Sequence, residues 1–295
     1  MRRYSASGAL LQDTTSVTTA PAAAIDAGLD VAAAPDGGHA VAWSAQSTAA
    51  GPRQILVQRF SANGAAVGSA PTVANETQGD QAQPRIVPLA DGSLVLTWLQ
   101  TQGDAALGGL SFTITTRPFS GLTAPLAAAR GVAASAAAAT FPFAAAPLAD
   151  GRVGLAWGQP ASTSSSSPQA RWQIVDAQGN PESVIGGITV LQIDSVAIAR
   201  ADRGFTAFFQ TVIGERRGTT ASINSIAVNN DAVAAATVLT QEVDRTLNLV
   251  VSPTLGIFTG PAAPGFAVAG GSDGRYVLTY ASATANGADV IALGK

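Results

Sequence analysis

The sequence predicts an all-β protein: a five-bladed β-propeller of four-stranded antiparallel blades, with the last blade closed by strands from both termini. Three observations lead to this prediction. One sequence motif recurs five times, a second motif follows it in four units, and the N-terminal residues match the part of the repeat that the last unit lacks. Units of roughly 50 residues that hold several short strands are typical of propeller blades. A solenoid is the alternative, but its repeats are usually shorter and need terminal caps.

The first motif is a short apolar run, an Asp-Gly turn (Asp-Arg-Gly in the fourth copy) and a β-rich run that ends in a large aromatic residue. Its copies are residues 34–43, 89–98, 148–157, 201–209 and 272–280. Asp-Gly between two β-rich runs is a strong hairpin signal, and a type I′ turn needs positive φ at both central residues. We therefore predict that strands A and B of each unit form a hairpin with a type I′ turn.

The second motif supplies strands C and D of each unit. Strand C covers residues 53–64, 112–121, 171–179 and 223–231, and the runs 66–74 and 233–240 are interpreted as strand D. Only 15 residues follow Tyr280, so the fifth unit is expected to lack its second half. Residues 3–9 match residues 59–65 and are expected to complete that unit, which leaves no unpaired sheet edge.

The predicted domain is a single propeller over residues 1–295. Its blades cover approximately residues 25–75, 80–130, 139–190, 193–241, and 262–295 together with 1–20. Residues 242–261 are interpreted as an insertion with extra strands at 247–252 and 255–259. Six blades would leave too few residues for the two blades around this insertion.

Composition excludes several kinds of chemistry. The chain has no cysteine, one histidine, and a lysine only at its last position, so disulfides, thiolate metal sites and a P-loop are excluded. The sequence predicts no cofactor and no metal site. Its arginines are scattered at a net charge of −3, and no apolar run reaches membrane-spanning length, so neither a nucleic-acid partner nor membrane insertion is expected. The first residues lack the apolar stretch of a signal peptide.

The repeat also resembles a known family. An Asp-Gly turn, an aromatic residue, the triplet Gln58-Arg59-Phe60 and a glycine turn are similar to the tandem repeats of large bacterial surface and secreted proteins. The resemblance implies an extracellular or cell-surface location and a non-catalytic role. It implies no calcium site, because the Gly-Gly-x-Gly-x-Asp nonapeptide does not occur.

Several conspicuous residues have two interpretations. The closing aromatics are a sugar platform or inter-blade core, and core is preferred; they are Trp43, Trp98, Trp157, Phe209 and Tyr280. The turn aspartates are interpreted as hairpin residues rather than catalytic acids. Arg3, Arg59 and Arg117 are expected to be structural rather than a clamp for a ligand carboxylate. His39 is expected to be a solvated surface residue.

The B–C loops are the expected ligand face, because they are long and vary between units. They cover residues 44–52, 99–109, 158–170, 210–219 and 281–288. Amides and charges in these loops suit a hydroxyl-rich ligand. The candidate ligand-binding residues are Gln46, Gln100, Gln102, Asp104, Gln159, Gln210, Glu215, Arg216 and Arg217.

The sequence favours a non-catalytic extracellular binding or adhesion module rather than an enzyme, with a glycan or another surface protein as partner, present as a monomer or as part of a larger chain. One alternative is a structural or protein-interaction propeller without a small ligand. The other is a five-bladed glycoside hydrolase, which requires two carboxylates about 5–9.5 Å apart. The inner strands offer Asp30 and Asp194 for that role.

Overall fold

The computed structural model consists of short β-strands joined by turns and loops. It describes residues 3–4, 7–12, 28–34, 36–46, 51–74, 79–103, 111–120, 124–135, 141–161, 167–182, 185–189, 193–201, 204–215, 218–229, 258–259, 266–270, 276–284 and 287–294. The strands are β1 (Arg3–Tyr4), β2 (Leu10–Gln12), β3 (Leu29–Ala33), β4 (His39–Gln46), β5 (Arg53–Phe60), β6 (Ala66–Val73), β7 (Gln81–Pro88), β8 (Leu94–Gln102), β9 (Ser111–Ser120), β10 (Ala124–Pro125), β11 (Arg130–Ser135), β12 (Phe143–Pro147), β13 (Val153–Gln159), β14 (Gln169–Val175), β15 (Gly186–Thr189), β16 (Ile193–Ala201), β17 (Gly204–Glu215), β18 (Gly218–Asn229), β19 (Phe258–Thr259), β20 (Phe266–Gly270), β21 (Tyr276–Thr284) and β22 (Gly287–Gly294). No helix in the described part of the chain is long and apolar enough to cross a membrane.

The strands form a series of antiparallel sheets in chain order. The first sheet is β3-β4-β5-β6, and the second is β7-β8-β9 with β10 and β11 both on β9. The third sheet is β12-β13-β14-β15, the fourth is β16-β17-β18-β19 and the fifth is β20-β21-β22. In addition, β1 and β2 pair with each other. The predicted all-β class and the four-stranded antiparallel unit are therefore confirmed.

The chain divides into two compact units. The first comprises residues 1–103 and 113–133, and the second comprises residues 104–112 and 134–295. The first and second sheets lie mainly in the first unit. The third, fourth and fifth sheets lie in the second unit.

Within each unit, neighbouring sheets pack face to face through an apolar core. In the first unit, Ala40 and Ala42 of the first sheet pack with Leu94, Leu96 and Trp98 of the second. In the second unit, one cluster joins the third and fourth sheets; it includes Ala144, Ala156, Trp172, Ile198, Phe205 and Phe209. The closing aromatics Trp43, Trp98, Trp157 and Phe209 are at most 3% exposed. The prediction that this position is core is confirmed for these four, and the side chain of Tyr280 lies outside the described residues.

The Asp-Gly hairpins have a geometry that differs from the predicted one. Leu89 N donates to Ser93 O at 2.8 Å and Gly92 N donates to Leu89 O at 3.1 Å, so the loop has three residues rather than two. Gly92 has φ +83°, whereas Asp91 is not in the left-handed region. This is a type I turn followed by a left-handed glycine. The type I′ prediction is wrong, because only the glycine needs positive φ.

The turn aspartates nevertheless have the predicted structural role. Asp91 Oδ1 accepts a hydrogen bond from Ser93 N at 2.9 Å. Equivalent bonds run from Gly38 N to Asp36 at 3.0 Å and from Arg152 N to Asp150 at 3.2 Å. A short carboxylate that accepts a backbone N–H two residues ahead stabilises a turn.

Two predicted loops are instead largely strand. Strand β17 continues to Glu215 and β18 begins at Gly218, so the expected loop at 210–219 is wrong. In the fifth sheet, β21 runs to Thr284 and β22 begins at Gly287. Residues 287–294 form a third strand that pairs with β21, so among the described residues the fifth unit has three strands rather than the two that were expected.

The insertion contributes one described strand. Strand β19 pairs with β18 through Thr259 opposite Thr220 and Phe258 opposite Ala221. It falls within the extra strand predicted at 255–259. The predicted strands at 233–240 and 247–252 lie outside the described residues.

Candidate functional site

Asp30 lies on β3, the edge strand of the first sheet, opposite Ala42 of β4. Residues opposite each other in a pair of strands share a face. Asp30 is therefore on the face that Ala42 presents to the second sheet. Its Oδ2 accepts a hydrogen bond from Ile86 N at 2.8 Å. Ile86 belongs to β7, the edge strand of the second sheet, so the carboxyl links the edge strands of the first unit.

Arg85 precedes Ile86 and brings a positive charge to the same place. It lies opposite Thr97 of β8, and its Nη1 donates to Pro84 O at 2.9 Å. Burial raises the pKa of Asp30, while the Ile86 N–H and the Arg85 charge act in the opposite direction and the net shift is upward. Burial also lowers the pKa of Arg85, and the Asp30 carboxylate opposes that shift.

The charged pair is confined to the first two sheets. Asp30 and Arg85 occupy the same position in the repeat. Each lies on the first strand of its sheet, opposite the residue that directly precedes the closing aromatic. The other sheets carry alanine there; these residues are Ala144, Ala197 and Ala267. A methyl group thus satisfies the fold at this position. The carboxyl of Asp30 and the guanidinium of Arg85 are consequently candidates for a chemical role.

The chemistry open to Asp30 is proton transfer. A half-buried carboxyl with a raised pKa holds its proton closer to neutral pH and can serve as a general acid. Among the residues that the structure describes, no three His, Cys, Asp or Glu side chains gather as they would around a metal ion.

The predicted glutamines of the first two sheets lie in different environments. Gln100 is 4% exposed. Its Oε1 accepts from Trp98 Nε1 at 3.3 Å and its Nε2 donates to Thr101 O at 3.4 Å. Gln46 is half-buried and its Nε2 donates to Gly51 O at 3.1 Å, whereas Gln102 is exposed. The amide of Gln100 therefore supports the fold, and ligand contact by any of these glutamines stays a prediction.

The remaining candidates are described only in part. Gln159 is half-buried at the end of β13. Gln210 and Glu215 lie on β17, but their side chains are outside the described residues. Asp104, Arg216 and Arg217 lie outside the described residues altogether.

Asp194 lies on β16, where the pairing with β17 slips between Ile193 and Ser195. Its side chain is also outside the described residues.

The repeated arginines support the fold, as predicted. Arg59 forms an ion pair with the turn carboxylate of Asp36. Arg117 donates from Nε to Ala127 O at 2.9 Å and from Nη1 to Ala74 O, and its guanidinium lies over the ring of Phe119. The side chain of Arg3 is outside the described residues.

The environment of His39 differs from the prediction of a solvated residue. His39 is half-buried, and its ring stacks on Phe60 with centroids 5.0 Å apart. His39 lies opposite Phe60 in the pairing of β4 with β5, which brings the two rings together.

Sequence reasoning missed Arg85 and its neighbour Gln83. Aligning the edge strands of the units by their closing aromatics would have placed Arg85 beside Asp30. Gln83 has no comparable signal, because its distinguishing feature is a backbone angle: its φ is +53°.

Comparisons with known proteins identify the fold but no family. No family model matches the chain, and no curated protein matches it. The α-L-arabinanase of Penicillium chrysogenum, solved with arabinobiose, is 13% identical over 90% of this chain and 77% of its own, with a TM-score of 0.56. The α-L-arabinofuranosidase of Fusarium graminearum, solved with an iminosugar inhibitor, is 11% identical over 88% and 76%, with a TM-score of 0.54. The β-propeller domain of the Trilobed protease from Pyrococcus furiosus is 8% identical over 92% and 69%, with a TM-score of 0.45.

The likeness to the first two structures confirms the predicted β-propeller fold. It also contradicts two predictions, because both of these structures are named as enzymes that act on arabinosides, an α-L-arabinanase and an α-L-arabinofuranosidase. The prediction of a non-catalytic adhesion module is wrong, and so is the prediction that the chain is not an enzyme. The resemblance to bacterial surface repeats stays a prediction, since no family model supports that motif.

Proposed function

We propose that this chain is a glycoside hydrolase in which Asp30 is the general acid. The observation that carries the proposal is a half-buried carboxyl on an edge strand whose pKa is raised by burial. Hydrolysis of a glycoside requires an acid that protonates the leaving oxygen and a second carboxylate that serves as base or nucleophile. Asp30 has the environment of the first of these groups.

Arabinofuranosides are the substrate class that the comparisons favour. The two solved structures with TM-scores above 0.5 are named for α-L-arabinan and α-L-arabinofuranoside substrates. We keep the predicted secreted or cell-surface location as part of this proposal.

The test is hydrolysis of 4-nitrophenyl α-L-arabinofuranoside and of arabinobiose by the wild type and by Asp30→Asn. We expect the variant to lose about 10²-fold or more in kcat on arabinobiose. The loss should be smaller on the nitrophenyl substrate, because nitrophenolate leaves with little help from an acid.

Asp91→Asn is the matched control, since it changes an exposed turn carboxylate. Asp194→Asn and Asp80→Asn, run in the same assay, test two candidates for the second carboxylate; Asp80 directly precedes β7 and accepts from Arg53 N at 2.9 Å. The proposal fails if the wild type cleaves no glycoside, or if Asp30→Asn retains wild-type rates on both substrates.

We further propose that the propeller has five blades and that the N-terminal strand β2 supplies the missing fourth strand of the fifth sheet. The match of residues 3–9 to 59–65 places Leu10 at the position of Ala66, which pairs with Phe60 in the first sheet. By the same alignment, Leu11 corresponds to Val67, which pairs with Arg59. The closing aromatics Trp43 and Tyr280 pair with Leu56 and Ile291, and counting on three residues places Gly294 of β22 at the position of Arg59.

A cysteine pair tests this strand order. Paired residues in antiparallel strands have Cα atoms about 4.5–5.5 Å apart, which suits a disulfide. The chain has no cysteine of its own, so Leu11→Cys with Gly294→Cys reports this pairing alone. We expect an intramolecular disulfide on mild oxidation. A disulfide that forms only between molecules, or none, would contradict the proposed strand order.

A further inference from the structure

Gln83 has a strained backbone beside the Asp30 site. In the described part of the chain it is the one non-glycine residue with a left-handed φ, at +53°. Such a conformation is unfavourable for a long side chain and is far more common for glycine or asparagine. Strain of this kind is concentrated at functional sites.

The strain coincides with an irregularity in β7. The pairing of β7 with β8 slips between Ala82, opposite Leu99, and Arg85, opposite Thr97. A bulge of this type changes the direction in which the side chains of the strand point and is frequent near active sites. Here it immediately precedes Arg85, whose charge acts on the Asp30 carboxyl, and Ile86, whose N–H binds it.

The residue that directly precedes β3 lies close to the same bulge. A Cβ added at Gly28 would lie 3.4 Å from the Cα of Gln83, and Gly28 itself has φ +103°. Gly28 is two residues before Asp30 in the sequence. The bulge and the carboxyl are therefore held together from both strands.

Part of the bulge has a structural explanation. It allows Gln81 and Ile86, which are an odd number of residues apart, both to face the first sheet. Gln81 accepts from Ile55 N at 3.0 Å, and Ile86 donates to Asp30. This accounts for the irregular backbone but not for glutamine at its left-handed position, where glycine or asparagine would be less strained.

We propose that Gln83 is a substrate-binding residue of the Asp30 site, where its amide hydrogen-bonds the hydroxyl groups of a sugar ring. An amide offers a planar donor and acceptor, which suits paired hydroxyls. The inference rests on the proposed glycoside hydrolase function and adds a residue that recognises a neutral sugar.

The experiment separates strain from binding. Gln83→Gly removes the amide and relieves the backbone, so we expect a melting temperature that is unchanged or up to about 3 °C higher. We expect Kd for arabinobiose, measured by calorimetry in the Asp30→Asn background, and KM for 4-nitrophenyl α-L-arabinofuranoside to rise about 3–10-fold. Gln83→Asn tolerates the left-handed backbone and keeps the amide, so its values should fall between those of the wild type and Gln83→Gly.

Gln178→Ala is the control, because Gln178 is an exposed glutamine in the turn after β14. Unchanged Kd and KM in Gln83→Gly, with hydrolysis by the wild type intact, would overturn the inference and leave the proposed function standing. A lower melting temperature together with weaker binding would assign Gln83 a structural role and also overturn it. Absence of hydrolysis by the wild type would overturn both.

Discussion

Two interfaces between neighbouring sheets use equivalent positions of the repeat but differ in the polarity of the contacting groups. Each such interface is called a join. Between the third and fourth sheets the described contacts are apolar, and a Cβ added at Gly154 would lie 2.5 Å from the ring of Phe205. Between the first and second sheets an apolar cluster is also present, but polar bonds accompany it. Asp30 accepts from Ile86 N, and Ser44 Oγ donates to Gln81 O at 2.5 Å.

The difference shows which groups the fold does not require. The join of the third and fourth sheets holds with alanine at the position of Asp30, so apolar packing is sufficient to connect two sheets. Burying a polar group is unfavourable unless it is hydrogen-bonded. We therefore attribute the polar groups described in only one of these two joins to the proposed role of Asp30 or to its positioning.

The largest expected effect comes from exchanging the packing of one join for that of the other. Gly154 corresponds to Ala40 of the first sheet, and Phe205 corresponds to Leu94 of the second. Gly154→Ala should lower the free energy of unfolding by about 1–3 kcal/mol, because the new methyl group overlaps the Phe205 ring. Urea denaturation measures this loss.

The control is a double-mutant cycle with Phe205→Leu. The double variant recreates the Ala40 and Leu94 pair, so the two changes should couple favourably by about 1 kcal/mol or more. Strictly additive losses would show that the two joins do not share a packing rule.

A smaller effect is expected at the hairpin turns. Gly92 has φ +83° and no atom within 4 Å of an added Cβ, so Gly92→Ala introduces backbone strain without a clash. We expect a loss of about 1 kcal/mol in the free energy of unfolding, and less for Gly92→Asn.

Asp91→Gly distinguishes the observed turn from a type I′ turn. In a type I′ turn the aspartate would have positive φ and glycine would relieve strain. In the observed turn, Asp91→Gly removes the carboxylate that accepts a hydrogen bond from Ser93 N, so the substitution should destabilise the hairpin. A more stable Asp91→Gly variant would contradict the three-residue loop.

Sequence reasoning succeeded where one residue type repeats for one physical reason. The closing aromatics were predicted as core because large apolar rings recur at one position, and four of them are buried. The turns were located correctly, but their type depends on whether the loop has two or three residues, which Asp-Gly alone does not determine.

The site was only partly predictable. Asp30 was named as an acid of an inner strand, but the groups that most lower its pKa against the effect of burial come from the next sheet in the chain. Gln100 was expected to face a ligand, and its burial depends on the indole of Trp98, two residues away on the same strand. Gln83 was missed because a bulge, rather than a sequence pattern, gives it a left-handed backbone.

The smallest expected effect is a pH dependence that contrasts Asp30 with the turn aspartates. Because the pKa of Asp30 is raised in the folded state, that state holds the proton more tightly than the unfolded chain. The contribution of Asp30 to stability is therefore greatest below its ordinary pKa and is lost as pH rises through the raised value. The pKa of Asp91 is lowered by hydrogen bonds from Ser93, so its contribution is lost as pH falls.

Asp30→Asn keeps an oxygen that accepts from Ile86 N but cannot ionise. We measure the free energy of unfolding in urea at pH values of about 4 and 7. The value for Asp30→Asn minus the value for the wild type should increase as pH rises. Asp91→Asn should show the opposite trend: its free energy of unfolding relative to the wild type should decrease as pH rises. If Asp30→Asn has the same stability difference at both pH values, Asp30 has no raised pKa. The join between the first and second sheets would then carry a structural carboxylate, and its polarity would no longer distinguish it functionally from the join between the third and fourth.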